Sequence, residues 1–231
     1  MCILGYNISI YFVGGEHMVN LMNIIVDIPI ALVAIIGHEL GHAWVSTKLG
    51  DPTPRYEGRL TLNPLAHLDP IGTLLMIFTG FGWARPVGVN PMYYKDRKKG
   101  MALVAIAGPL SNFILAFFCF LAVIVGNMSQ GLANNVFFTS FSDFMVILAN
   151  LSIGLGVFNL IPVPPLDGSN IIFPFLPNGA KKFMYEYGQY IQFALLALLM
   201  FNVLDGVLYA MRSIVFDGIL AAVIFIVELF V

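Results

Sequence analysis

The sequence predicts an all-α polytopic membrane protein of about five transmembrane helices, with one short membrane-associated β or re-entrant segment. Three observations carry this. Of its 231 residues 59% are hydrophobic and only 10% are charged, and the mean hydropathy of +0.87 lies far from the balance of a soluble domain. The apolar residues gather into five runs of spanning or near-spanning length, at about 19–45, 101–125, 144–160, 183–203 and 207–230. A further run, 71–84, is short and glycine-rich, which suits a re-entrant hairpin better than a span; if it did cross, the helices would number six. The length leaves room for one membrane-embedded domain over 1–231 and none for a soluble domain of ordinary size.

Each element has its local reason. Met1 to Met18 carries no Lys or Arg and no small-residue cleavage site follows, so it reads as an uncleaved lead-in and not as a signal peptide. The first span tolerates Asp27 and Pro29 because both lie near its start. Residues 48–69 are polar and rich in turn signals, among them Gly50-Asp51-Pro52, Asn63-Pro64 and Asp69-Pro70, and place this stretch outside the lipid. Within it, Arg59 to Asn63 alternates as a strand would. The basic cluster Lys95, Arg97, Lys98 and Lys99 precedes the second span, and the polar link 127–142 has neither Lys nor Arg. The third span ends at Pro162, Lys181-Lys182 precedes the fourth, and Asp205-Gly206 separates it from the fifth, which contains Arg212 and Asp217.

Charge and cysteine content exclude other classes. The net charge is −2 and the basic residues are dispersed over loops, so the composition argues for the lipid bilayer as partner and against nucleic acid. Cys2 and Cys119 form no C-x-x-C pair, which leaves neither a disulfide frame nor a thiolate site.

The chemistry is concentrated in His38-Glu39-Leu40-Gly41-His42. On a helix the two His lie one turn apart on one face, so both can ligate one Zn2+, with Glu39 placed to take a proton from metal-bound water. Lys48 lies one to two turns beyond, which puts the metal on the order of ten Å below the membrane surface. A catalytic zinc wants a third protein ligand. Asp167, presented from the helix-breaking run Pro162-Val163-Pro164-Pro165-Leu166, is the best candidate, and Asn159 offers an amide N–H to a polarised carbonyl. Taken alone, Asp167-Gly168 also reads as a simple turn and Asn159 as a helix-end cap. His67 reads as a loop-structuring residue or a relay, Asn112 as part of a packing motif or a substrate contact, and Arg212 as half of an ion pair with Asp205 or Asp217 or as an interfacial anchor.

Orientation follows from two arguments. If 71–84 does not cross, ten of the eleven basic residues share one side, which the positive-inside rule makes cytoplasmic, with the N-terminus outside. A ligand at Asp167 can meet His38 and His42 only across an even number of crossings, and the second and third spans supply two.

Three motifs now carry a family resemblance: His38 to His42 on a membrane helix, Gly108-Pro109-Leu110-Ser111-Asn112 in a later span, and Asn159 to Gly168 ending in Leu-Asp-Gly. Together they resemble the signatures of the site-2 protease family of intramembrane zinc metalloproteases. Gly58 to Pro64 and Gly82 to Val87 resemble its compact prokaryotic branch without PDZ or CBS modules. The resemblance implies one zinc on His38, His42 and Asp167, Glu39 as catalytic base and Asn159 assisting the substrate carbonyl. It further implies a catalytic core at about 19–172, a transmembrane protein substrate, a prokaryotic cell membrane, an active site toward the cytosol and a β segment that pairs with substrate. The helices at 183–230 match no motif. The composition also admits a catalytically silent scaffold that binds membrane helices, or a metal transporter using the same ligands. Substrate sequence and oligomeric state have no signature in the chain.

Overall fold

A computed structural model describes residues 3–5, 21–79, 81–129, 131 and 135–230. Most of the lead-in that precedes the first helix, and Cys2 with it, lies outside the described residues.

The predicted spans form as helices. α1 (Leu21–Lys48) covers the first and closes with Lys48 in its last turn, where a cation meets the negative end of the helix. A single turn, α2 (Thr53–Tyr56), follows in the polar loop. α3 (Pro70–Thr79) and strand β2 (Phe81–Trp83) make up the short apolar run, and β2 pairs antiparallel with β1 (Ile3–Gly5) in the register Ile3 to Trp83. α4 (Arg97–Asn127) begins where Asp96 accepts hydrogen bonds from the Lys98 and Lys99 N–H groups at 3.0 and 3.1 Å. α5 (Val136–Asn159) begins likewise on Asn135, which accepts from Phe137 N–H at 2.8 Å. After the proline run come α6 (Asp167–Ile172), α7 (Asn178–Met200) and α8 (Asp205–Glu228).

Among the described residues four helices are long and apolar enough to cross a membrane: α1 from Ile28, α4, α5 and α8. The chain is an integral, all-α polytopic membrane protein. The fourth predicted span forms as α7 but is not one of those four; Lys181, Lys182 and Glu186 open it, and Tyr185 and Tyr190 are exposed.

The run 71–84 turns back. α3 has ten residues, about 15 Å, half of what a bilayer core requires. Its entrance and exit lie side by side, because Leu68 and Ala84 form an antiparallel bridge and Arg85 N–H donates to the His67 carbonyl at 2.9 Å. The strand alternation of Arg59 to Asn63 does not produce a strand. Asn63 instead caps the 3-10 turn Pro64–Ala66, accepting from Leu65 N–H, and Leu62 is left exposed. The extended segment falls at Phe81–Trp83.

The core lies among α1, α4 and α5, with α8 against its far side. Ile30, Ala34 and Ile35 of α1, Ala116, Cys119 and Phe120 of α4, Ala149, Ile153 and Val157 of α5 and Val223 of α8 belong to one buried cluster. Small residues allow backbone contact between α1 and α4: a Cβ on Gly41 would stand 2.6 Å from the Ala107 carbonyl. Ser111 Oγ lies 2.8 Å from the Gly37 carbonyl oxygen across that seam.

Candidate active site

α1 places His38 and His42 on the face that α4 covers, and both are buried, as is Glu39 between them in sequence. Their rings meet edge to face with centroids 4.7 Å apart, and their Nε2 atoms are 3.1 Å apart. The proline run after α5 brings back Asp167 at the start of α6. Asp167 Oδ2 is 2.9 Å from His38 Nε2 and 3.2 Å from His42 Nε2. Two glycines make this approach feasible. A Cβ on Gly108 would stand 2.4 Å from His42 Nε2, and one on Gly168 would stand 2.2 Å from the Leu160 carbonyl, so α4 and the start of α6 can come this close only without side chains there.

The far side of each imidazole fixes what its near side offers. His42 Nδ1 is 2.7 Å from the Val104 carbonyl oxygen, which can only accept, so a proton sits on Nδ1 and the neutral ring has its lone pair on Nε2. Asn112 is fully buried beside His38, with its amide Nδ2 3.3 Å from Nδ1, an orientation that a flip of the amide would reverse. An amide oriented with Oδ1 toward Nδ1 accepts that proton and satisfies an oxygen otherwise buried without a partner. Both Nε2 atoms then face the buried Asp167 Oδ2, at 2.9 and 3.2 Å. Three lone-pair atoms crowded this closely repel one another unless a metal ion or a proton sits among them. Their spacing matches the about 3.3 Å that separates neighbouring ligands around tetrahedral zinc with 2.0–2.1 Å bonds. Two imidazoles and one carboxylate that could hold one ion are a donor set of the kind a catalytic zinc uses. Among the described residues this trio is the group of His, Cys, Asp and Glu that could hold an ion.

Glu39 and Asn159 line the same cavity as His42 and Asp167, and the 86–87 segment forms another wall. One carboxylate oxygen of Glu39, Oε2, accepts from Val87 N–H at 3.0 Å. Asn159 gives one amide N–H to the Leu155 carbonyl at 2.9 Å, a bond within its own helix. The structure thus brings together all five residues singled out from the sequence. The others stand apart: His67 donates from Nε2 to the Thr61 carbonyl at 2.8 Å within its loop, Cys119 is core, and Arg212 donates to Asn150 Oδ1 at 2.6 Å. Sequence reasoning missed the Val104 carbonyl, the Val87 N–H and the inward role of Asn112. The first two are backbone groups and leave no trace in residue identity.

The sequence model of peptidase family M50 matches residues 28–202, a stretch that holds every ligand candidate. YwhC of Bacillus subtilis is 41% identical over 189 residues, covering 82% of this chain and 86% of that one. Rip2 of Mycobacterium tuberculosis H37Rv is 27% identical over 194 residues, covering 80% and 71%. The zinc metalloprotease MJ0392 of Methanocaldococcus jannaschii is 29% identical over 153 residues, which are 66% of this chain and 34% of that longer protein. No solved structure matches the chain. A zinc-type donor set buried among apolar helices and a family match across three quarters of the chain lead to one conclusion: the chain belongs to peptidase family M50 and is a membrane-integral zinc metalloprotease.

Proposed function

We propose that this protein hydrolyses a peptide bond within or beside a transmembrane segment of a membrane-protein substrate. His38, His42 and Asp167 hold the zinc, Glu39 is the general base, and Asn159 assists at the substrate carbonyl. The observation that carries the proposal is the convergence of three ligand atoms, within 3.2 Å of one another, in a cavity that Glu39 and Asn159 share. That cavity lies one to two turns inside the Lys48 end of a spanning helix, so a bond must reach it at membrane depth.

Zinc bound there supplies a Lewis acid and acidifies water toward a pKa of ~7. The rest is the work of side chains. Val87 N–H holds Glu39 Oε2 at the cavity wall, and the carboxylate accepts the proton of the attacking water and returns it to the leaving amine. Asn159 has a second amide N–H beyond the one given to Leu155, and this N–H serves the scissile carbonyl oxygen. A substrate helix must unwind to expose its carbonyl, and lipid cannot satisfy the freed backbone groups. Extended pairing with the β2 segment of the re-entrant hairpin, whose exit leads directly into the cavity wall at Pro86 and Val87, would satisfy them.

The same reading places the whole chain in one domain, the site toward the cytoplasm and the N-terminus outside, as the clustering of ten basic residues on one side supports. The test compares wild type and Glu39→Gln on a transmembrane reporter in liposomes, with zinc measured in both. Cleavage by wild type alone, with zinc in each, is expected. Equal cleavage would remove Glu39 from the mechanism, and absence of cleavage by both would leave a scaffold or a metal carrier.

A further inference from the structure

The elements around the cavity contribute unlike linings. α4 and the 86–89 segment bring apolar groups, Val87, Val89, Met101, Val104 and Ala105, whereas α5 and α6 bring Asn159, Asp167 and Asn170. The reaction proposed above uses Glu39, His42, Asn159 and Asp167, and leaves the Asn170 amide without a task. Asn170 is half-buried, one turn after Asp167 and on the same face of α6.

The Asn170 amide has no hydrogen-bond partner among the described residues. Asparagines on other helices behave differently. Asn127, Asn150 and Asn159 each donate an amide N–H back to the carbonyl four residues earlier, those of Val123, Val146 and Leu155, at 2.9, 2.8 and 2.9 Å. For Asn170 that carbonyl belongs to Leu166, and Ser169 already occupies it with its N–H at 3.1 Å and its Oγ at 2.7 Å. A carbonyl oxygen has two lone pairs, so it has no place for the Asn170 side chain, whose amide is left to the cavity.

Residues around a bond cut at membrane depth are mostly apolar, so the polar groups they bring are those of the main chain. Once the substrate helix unwinds, each of its peptide units has an N–H and a C=O to satisfy. A carboxamide sets a donor and an acceptor side by side in one plane and complements both. Residues one turn apart on a helix have Cβ atoms about 5–6 Å apart, and an extended chain rises about 3.3 Å per residue. Asn170 is thus placed to meet the main chain about two residues from the bond held at Asp167.

We propose that Asn170 is a substrate-binding residue: its amide pairs with a main-chain N–H and C=O of the unwound substrate, about two residues from the scissile bond, and holds that stretch extended. This rests on the reading of the cavity as the proteolytic site.

Synthetic transmembrane reporters test it, each with one backbone ester in place of an amide at a position flanking the scissile bond, and cleavage at that bond followed by mass spectrometry. The ester removes one N–H and leaves every side chain in place. On the all-amide reporter, Asn170→Ala loses about fivefold to hundredfold in kcat/KM, the scale of two neutral hydrogen bonds, and keeps one zinc per chain. Wild type loses about twofold to tenfold on one ester reporter, the scale of one such bond. Asn170→Ala shows no further loss on that reporter, while losses at the other ester positions add to its own. Asn170→Leu, of nearly the same volume as wild type, gives the same pattern and decides the matter if Asn170→Ala does not fold. Unchanged kcat/KM in the variant, losses that add at every ester position, or a loss that tracks loss of zinc overturns the proposal. If wild type cleaves no reporter, or Glu39→Gln cleaves as well as wild type, the reading of the cavity falls instead, and the proposal with it.

Discussion

Replacing Gly108 with Ala should weaken zinc binding even though the new residue is the better helix former. Gly108 lies inside α4, where Gly to Ala ordinarily gains about 1 kcal/mol. Here the added Cβ would stand 2.4 Å from His42 Nε2 and 2.7 Å from His38 Cε1. Comfortable contact begins near 3.5 Å, so something must move by about 1 Å. α4 cannot retreat cheaply, because it already touches α1 backbone at Gly41 and carries the Ser111 bond to the Gly37 carbonyl. The imidazoles therefore give way, and a zinc site tolerates only about 0.2 Å in its ligand distances. We expect zinc affinity to fall by at least about a hundredfold while the helix content is kept. Competition with a chromophoric chelator measures the first, and far-ultraviolet circular dichroism the second. Wild-type zinc affinity together with a raised melting temperature would refute the reasoning, since it would mean that α4 stands farther from the His pair than this packing requires.

Other perturbations address separate links. Asn112→Leu removes the amide beside His38 Nδ1 and should cost about tenfold to hundredfold in zinc affinity by the same competition assay, while Asn112→Asp, which can accept from Nδ1, should retain it. Burial by itself would raise the Asp51 carboxyl, but bonds from Asn90 N–H, Thr53 and Ser46 outweigh it and hold the group below its usual range. Its folded value being depressed, Asp51 contributes stability that is complete above about pH 4 and is lost as pH falls through the lowered value. Melting temperature should therefore drop less steeply with acid in Asp51→Asn than in wild type, and parallel slopes would count against Asp51. Leu62 and Met92 flank the re-entrant hairpin and are both exposed; single cysteines placed there should label from the same side of the membrane, and labelling from opposite sides would make the hairpin a span.

The sequence alone determined what depends on composition and local period. Long apolar runs must be helices in lipid, because no other backbone conformation satisfies its own hydrogen bonds there. Two His four residues apart on such a helix must share a face, so half of the metal site was legible before any fold was known. The third ligand was legible only as a candidate: Asp167 in its proline run reads equally well as a turn, and it lies 125 positions beyond His42. Tertiary structure decided that it meets the pair, through the return of α5 and the bare backbone of Gly168 against the Leu160 carbonyl. It also decided that Arg59 to Asn63, for all its alternation, is no strand, since alternation specifies a strand only where a partner edge exists to receive it. The groups that set the chemistry of the site, the Val104 carbonyl on His42 and the Val87 N–H on Glu39, belong to every residue's backbone alike. Residue identity cannot encode them, and only the packing of α4 and of the 85–89 segment against α1 brings them into play.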